Sequence, residues 1–139
     1  MNAVDTNVFV YSLDRREPVK CGKARTLLRR LRSSPTPTFF LWQVAGEFLR
    51  QLRTWQHQGQ ISRANVDFYL RLFRRFFPLA LPTPRVLELA LDLGDRFSHS
   101  HWDTMLLGAC LEAHIDTLYT EDMGASTTYD GVRLINPFV

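Results

Sequence analysis

SHWDTMLLGACLEAHIDTLYTED, residues 100–122, sets one acid at the head of an apolar run and two more at the end of the next run. The residues after Asp103, TMLLGACL, carry no charge. Met105, Leu106, Leu107, Ala109, Cys110 and Leu111 leave no wide polar stripe, so the spacing predicts a helix over 101–114 that is buried on most of its faces. Asp116 to Thr120 then reads as a strand, and Glu121 and Asp122 stand just past its carboxyl end.

The same alternation runs back to the start of the chain. Met1 to Val4 reads as a strand, with Asp5-Thr6-Asn7 as turn and cap before Val8 to Leu13. Pro18 to Arg32 has helical periodicity, with Ala24, Leu27, Leu28 and Leu31 on one face and Arg25, Arg29 and Arg32 on another; Ser33 to Pro37 ends it. Thr38 to Leu41 is a strand candidate. Val44 to His57 is a helix that turns Val44, Phe48, Leu52 and Trp55 inward, and Asn65 to Phe77 is a further helix. Leu79 to Leu81 is a minimal strand, Pro84 to Phe97 a helix with proline near its first turn, and Val132 to Ile135 a last strand. Short apolar strands separated by helices predict an α/β fold, one domain over 1–139, built on a central parallel sheet with helices on both faces.

At 139 residues the chain can bury a core without disulfides or a structural metal. Cys21 and Cys110 are far apart in sequence and no C-x-x-C spacing occurs, so both are expected to be reduced thiols of a cytoplasmic protein. Asp5 interrupts the N-terminus before the apolar core of a signal peptide can form, and no apolar run approaches the roughly 20 residues of a membrane span. The formal charge is +3, supplied almost wholly by arginine, since Lys20 and Lys23 are the only lysines. Arg25, Arg29, Arg32, Arg50, Arg53, Arg71, Arg74 and Arg75 fall on expected helix surfaces, where they serve either to track a phosphate backbone or as a solvated face.

In open parallel sheets the functional crevice lies beyond the carboxyl ends of the strands. Asp5 and Asp122 follow strands, Asp103 opens a helix, and Glu47 sits in the first turns of the helix after the second strand; all four are expected at one rim. Each has a plain structural reading. Asp5 is a possible N-cap, Asp103 completes an S-x-x-D capping box, Glu47 can pair with Arg50, and Asp122 suits a turn. Together, however, these anions repel one another unless a cation holds them. Hard ions such as Mg²⁺ or Mn²⁺ take oxygen ligands, activate water and stabilise a leaving phosphodiester oxygen.

MNAVDTNVFVYSLD at the start, the isolated acid in QVAGEFLR, SHWDTMLLGACLEAHIDTLYTEDM and the ending GVRLINPF together resemble a PIN-domain ribonuclease of the VapC toxin type over nearly the whole chain. That resemblance implies a sheet of about five parallel strands, Mg²⁺- or Mn²⁺-dependent cleavage of RNA, a homodimer, and inhibition by a small VapB-like antitoxin. It makes Asp5 and Asp103 the principal metal ligands, completed by Glu47 and Asp122 directly or through water, and gives Thr6 and Thr120 supporting positions; Glu121 matches less well. His99 and His101 are read as solvent-facing or capping residues. The alternatives are a non-catalytic RNA- or protein-binding module, an RNA-processing nuclease without antitoxin, and a phosphoacceptor fold. The last lacks an evident cation for the site, because Lys20 and Lys23 both lie on the first long helix.

Overall fold

The computed structural model describes residues 1–124 and 126–139. In chain order the elements are β1 (Asn2–Val4), α1 (Thr6–Leu13), α2 (Pro18–Ser33), β2 (Thr38–Leu41), α3 (Trp42–His57), α4 (Arg63–Phe76), β3 (Leu79–Ala80), α5 (Arg85–Arg96), α6 (His101–Glu112), β4 (Thr117–Tyr119), β5 (Thr128–Tyr129) and β6 (Val132–Ile135). Local chemistry explains several starts. The Asp5 carboxylate caps α1 by accepting from Thr6 N, and the Ser62 and Ser100 hydroxyls cap α4 and α6 by accepting from Asn65 N and Asp103 N. α2 begins on Pro18, whose missing N–H is not needed there.

The sheet order is β3-β2-β1-β4-β6-β5. Every pairing is parallel except β5 with β6. The connections from β1 to β2 and from β2 to β3 step one way, and the connection from β3 to β4 returns across β1 to its other side. Right-handed crossovers, the near-universal hand, then set α1 to α4 on one face and α5 with α6 on the other. The core is aromatic at its centre: Phe9 of α1 packs against Phe40, Phe48, Phe73 and Phe77 with ring centroids 4.8–5.9 Å apart.

Two sequence expectations need correction. The chain enters α1 directly at Thr6, with Asp5 as its cap, so the expected three-residue turn is absent. The sheet also has six strands rather than about five, because β5 adds an antiparallel edge. Its signal was present in Tyr129-Asp130-Gly131-Val132. Asp130 (φ 49°) and Gly131 (φ 90°) both take positive φ, as the two central residues of a tight hairpin turn require.

α5 and α6 approach closely because Gly108 has no side chain. A Cβ there would stand 3.1 Å from the Val86 carbonyl oxygen and 3.3 Å from Ala90 N, whereas one at Gly94 would meet nothing within 4 Å. Gly108→Ala is therefore expected to lower stability by about 1–2 kcal/mol through overpacking. Gly94→Ala, exposed on α5, is expected to raise it by up to about 1 kcal/mol through helix propensity. Urea unfolding midpoints of the two variants check this, and equal shifts would contradict the packing.

Candidate active site

β1 and β4 are adjacent in the middle of the sheet, on either side of the point where the order of connection reverses. The residues just past their carboxyl ends are Asp5 and Thr120-Glu121-Asp122. Asp5 N continues the pairing by donating to Tyr119 O at 2.9 Å, which draws the two strand ends together. The Asp5 side chain is only 7% exposed. Its Oδ1 accepts from Thr6 N at 2.7 Å, and its Oδ2 accepts from the Thr120 hydroxyl at 2.7 Å. The Thr120 oxygen in turn accepts from Asp122 N at 3.0 Å.

Two more carboxylates approach from the sides. Glu47, on α3, accepts from the Thr6 hydroxyl at 2.7 Å and from Gln43 Nε2 at 3.1 Å, instead of pairing with Arg50. Asp122 accepts from Asn7 Nδ2 at 3.1 Å. Burial pushes the Asp5 carboxyl up from 3.8 to about 6. The bonds from Thr120 and Thr6 pull it down, and the charges of Glu47 and Asp122 push it up again. Three of the four sequence candidates thus share one electrostatic neighbourhood, and Thr6 and Thr120 each hold a carboxylate in it.

Asp103 shares no hydrogen bond with the other three among the described residues. It occupies the first turn of α6, half-buried, and its carboxylate accepts no hydrogen bond from the described residues. What links its helix to the others is Gln43, whose Nε2 donates to Glu47 Oε1 and to the Trp102 carbonyl oxygen, each at 3.1 Å. Glu121, the weakest candidate, is turned away: Lys20 Nζ holds it at 2.9 Å while donating to Tyr11 OH at 3.2 Å. A cation therefore does reach this rim, contrary to the sequence reading that left Lys20 on its helix, although it is ion-paired there. His99 and His101 pack edge-on against Tyr129 and Trp102.

The arginines divide. Arg29, Arg30 and Arg32 end α2 and Arg74 and Arg75 end α4, and each helix leads into the amino end of a strand, so these residues lie at the edge opposite the acids. There they complement the negative ends of the helix dipoles, and the Arg32 guanidinium covers the Phe76 ring at 3.9 Å. Of the arginines singled out in the sequence, Arg50 on α3 faces the acidic side, in a groove of about 820 Å³ that Thr6 and Glu47 also line.

No known family model matches this chain, and no curated protein does either.

Among the described residues no three carboxylate, imidazole or thiol side chains stand close enough to form a ready metal cage. The donor set nevertheless suits a hard divalent ion, which commonly takes one or two carboxylates and keeps water or phosphate for the rest of its shell. Asn7 supplies a further sign. Its Oδ1 is buried without a hydrogen-bond partner, and the reversed amide would turn that oxygen against Asp122. This buried oxygen is thus left unpaired next to the acidic rim by the bond that its amide nitrogen makes to Asp122.

The raised Asp5 pKa has a definite sign for stability. The native state holds this proton more tightly than the unfolded chain, so the destabilisation is absent below about pH 4, grows between pH 4 and 6, and is complete above. Without divalent cations, Asp5→Asn is expected to be more stable than wild type above pH 6, by about 1–3 kcal/mol, and no more stable below pH 4. Urea unfolding in EDTA across this range measures it, and a pH-independent difference would contradict the assignment.

Proposed function

We propose that the chain is a Mg²⁺- or Mn²⁺-dependent endoribonuclease of the PIN-domain type, the toxin of a VapBC-like pair. The observation that carries this reading is that Asp5 and Asp122, just past the carboxyl ends of the adjacent strands β1 and β4, and Glu47 of α3 act on one another electrostatically and are held through Thr6, Thr120 and Asn7. Supporting it are the sequence resemblance and Asp103 at the head of α6, whose helix Gln43 joins to Glu47. A VapB-like antitoxin and a homodimer belong to the same proposal.

A bound divalent cation would lower the pKa of a water molecule and neutralise charge on a phosphodiester. Asp5 and Asp103 would be its principal holders, with Glu47 and Asp122 completing the acidic site. Thr6 and Thr120 fix the aim of Glu47 and Asp5 through hydroxyl donors at 2.7 Å. Gln43 holds Glu47 and the start of α6 in one arrangement. Arg50 offers a guanidinium for a neighbouring phosphate.

The test is cleavage of end-labelled structured RNAs, tRNA and ribosomal fragments among them, with Mg²⁺, Mn²⁺ or EDTA. Discrete cuts are expected with either metal and none in EDTA. Asp5→Asn and Asp103→Asn are each expected to lose on the order of 100-fold or more in rate, and Thr120→Val about 10- to 100-fold, the range typical of groups that orient a metal ligand. Full activity in EDTA, or in a folded Asp103→Asn protein, would contradict the mechanism. No cutting by folded, metal-loaded wild type would move the reading to a binding module.

A further inference from the structure

The arginines at the amino edge of the sheet outnumber what the fold asks of them. Helix dipoles account for a cation or two at the ends of α2 and α4. The sequence instead places no Asp or Glu anywhere from Pro18 to Gly46 or from Phe68 to Leu87, while Arg25, Arg29, Arg32, Arg71, Arg74 and Arg75 all fall within those two stretches. The fold brings the stretches together. Arg25, Arg29 and Arg32 of α2 line one hollow of about 240 Å³ with Phe73 and Phe76 of α4, and Arg71, Arg74 and Arg75 line another of about 350 Å³ with Leu79. The Arg32 guanidinium lies 3.9 Å over the ring of Phe76, which follows Arg74 and Arg75 in sequence, so one basic surface wraps around the end of α4.

Little of this charge is neutralised within the molecule. Arg71 pairs with Asp67 at 2.9 Å, and Arg25 donates to the Ser12 carbonyl oxygen at 2.8 Å. Arg29, Arg74 and Arg75 are exposed, and their guanidinium groups make no ion pair or hydrogen bond among the described residues. Like charges gathered in this way repel one another, and a polyanion relieves the repulsion. A guanidinium fork takes phosphate oxygens two at a time. An acidic peptide would satisfy the same forks, but peptides anchor through apolar side chains as well, and this surface leaves no aromatic ring open for one: Phe73 is buried and Arg32 covers Phe76. Contacts to a sugar–phosphate backbone need no such anchor.

We propose that this edge is a second nucleic-acid face, which grips the phosphate backbone of a folded RNA without reading its bases and without the acids or a metal. α2 separates it from the acidic rim. Lys20, near the start of that helix, meets Glu121 at the rim, and Arg29 and Arg32 stand about 14–18 Å further along the helix axis. The choice of RNA among phosphate polymers rests on the nuclease reading, but the face is tested without turnover.

Binding is measured in EDTA by fluorescence anisotropy of two end-labelled RNA hairpins of unrelated sequence, at about 50 and about 200 mM salt. The hairpins are expected to bind within about 3-fold of each other, and both at least about 10-fold more weakly at the higher salt. A triple variant, Arg29→Gln with Arg74→Gln and Arg75→Gln, is expected to lose on the order of 10-fold or more in affinity at the lower salt, with a salt slope shallower by about 2–3. The control triple, Arg15→Gln with Arg63→Gln and Arg85→Gln, removes the same charge from exposed positions elsewhere and is expected to lose less than about 3-fold. Glutamine keeps the helix propensity of arginine, and circular dichroism confirms that both variants are folded. Equal losses in the two triples, a strong preference for one hairpin, or no binding by wild type would overturn the proposal. So would tighter binding of a poly-glutamate chain of equal charge, which would assign the edge to an acidic protein. Hairpin binding that the first triple alone weakens, without cleavage in Mg²⁺, would leave this face standing and sink the nuclease reading; cleavage by wild type with hairpin binding undiminished in the first triple would do the reverse.

Discussion

The Asp5 carboxylate joins three elements at one point. One of its oxygens caps α1 through Thr6 N, and the other receives the Thr120 hydroxyl from the end of β4, while its own N–H extends the pairing of β1 with β4. A neutral side chain of similar shape would avoid the desolvation that pushes this carboxyl up to about 6. Folding therefore accepts a charge where burial opposes it. A desolvated carboxylate in a crevice is what makes Asp5 the candidate functional group. The buried Cys110 beneath it feels the same environment: burial, then the Asp5 charge, raises its thiol pKa and leaves it unreactive.

From that point outward the molecule has a polarity. Carboxylates gather at the carboxyl ends of the strands, where the fold leaves a crevice, and arginines gather at the opposite edge, where α2 and α4 end. Helix dipoles favour Asp5 and Asp103 at the starts of α1 and α6, and the arginines near the ends of α2 and α4. A phosphate chain arriving at the acidic rim would thus meet Arg50 before the distant arginines.

Much of this was legible in the sequence because it depends on local periodicity. The apolar spacing of α2, α3 and α6 set those helices, and the acids after β1 and β4 followed from the rule that parallel strands present their carboxyl ends to one edge. What escaped depends on contacts between distant segments. Lys20 and Glu121 lie 101 residues apart, and no pattern pairs them. Gln43 carries no signal in the sequence, yet its side chain holds both Glu47 and the Trp102 carbonyl. Asn7, expected only as part of a turn, owes its position beside Asp122 to the adjacency of β1 and β4. The β5 strand is different, because the Asp130-Gly131 turn did announce a hairpin but its two strand residues were too few to show alternation.

On the proposed metal-dependent reading Asp5 is a desolvated carboxylate whose charge a cation would stabilise, and its own titration tests this. Carboxyl ¹³C NMR of Asp5, followed from pH 3 to 8 with and without Mg²⁺, reads the proton and the metal at the same atom. The account predicts a midpoint near 6 in the metal-free protein, falling by one unit or more when Mg²⁺ is added, because the cation favours the charged form. A midpoint near the ordinary 3.8 that Mg²⁺ leaves unmoved would contradict it.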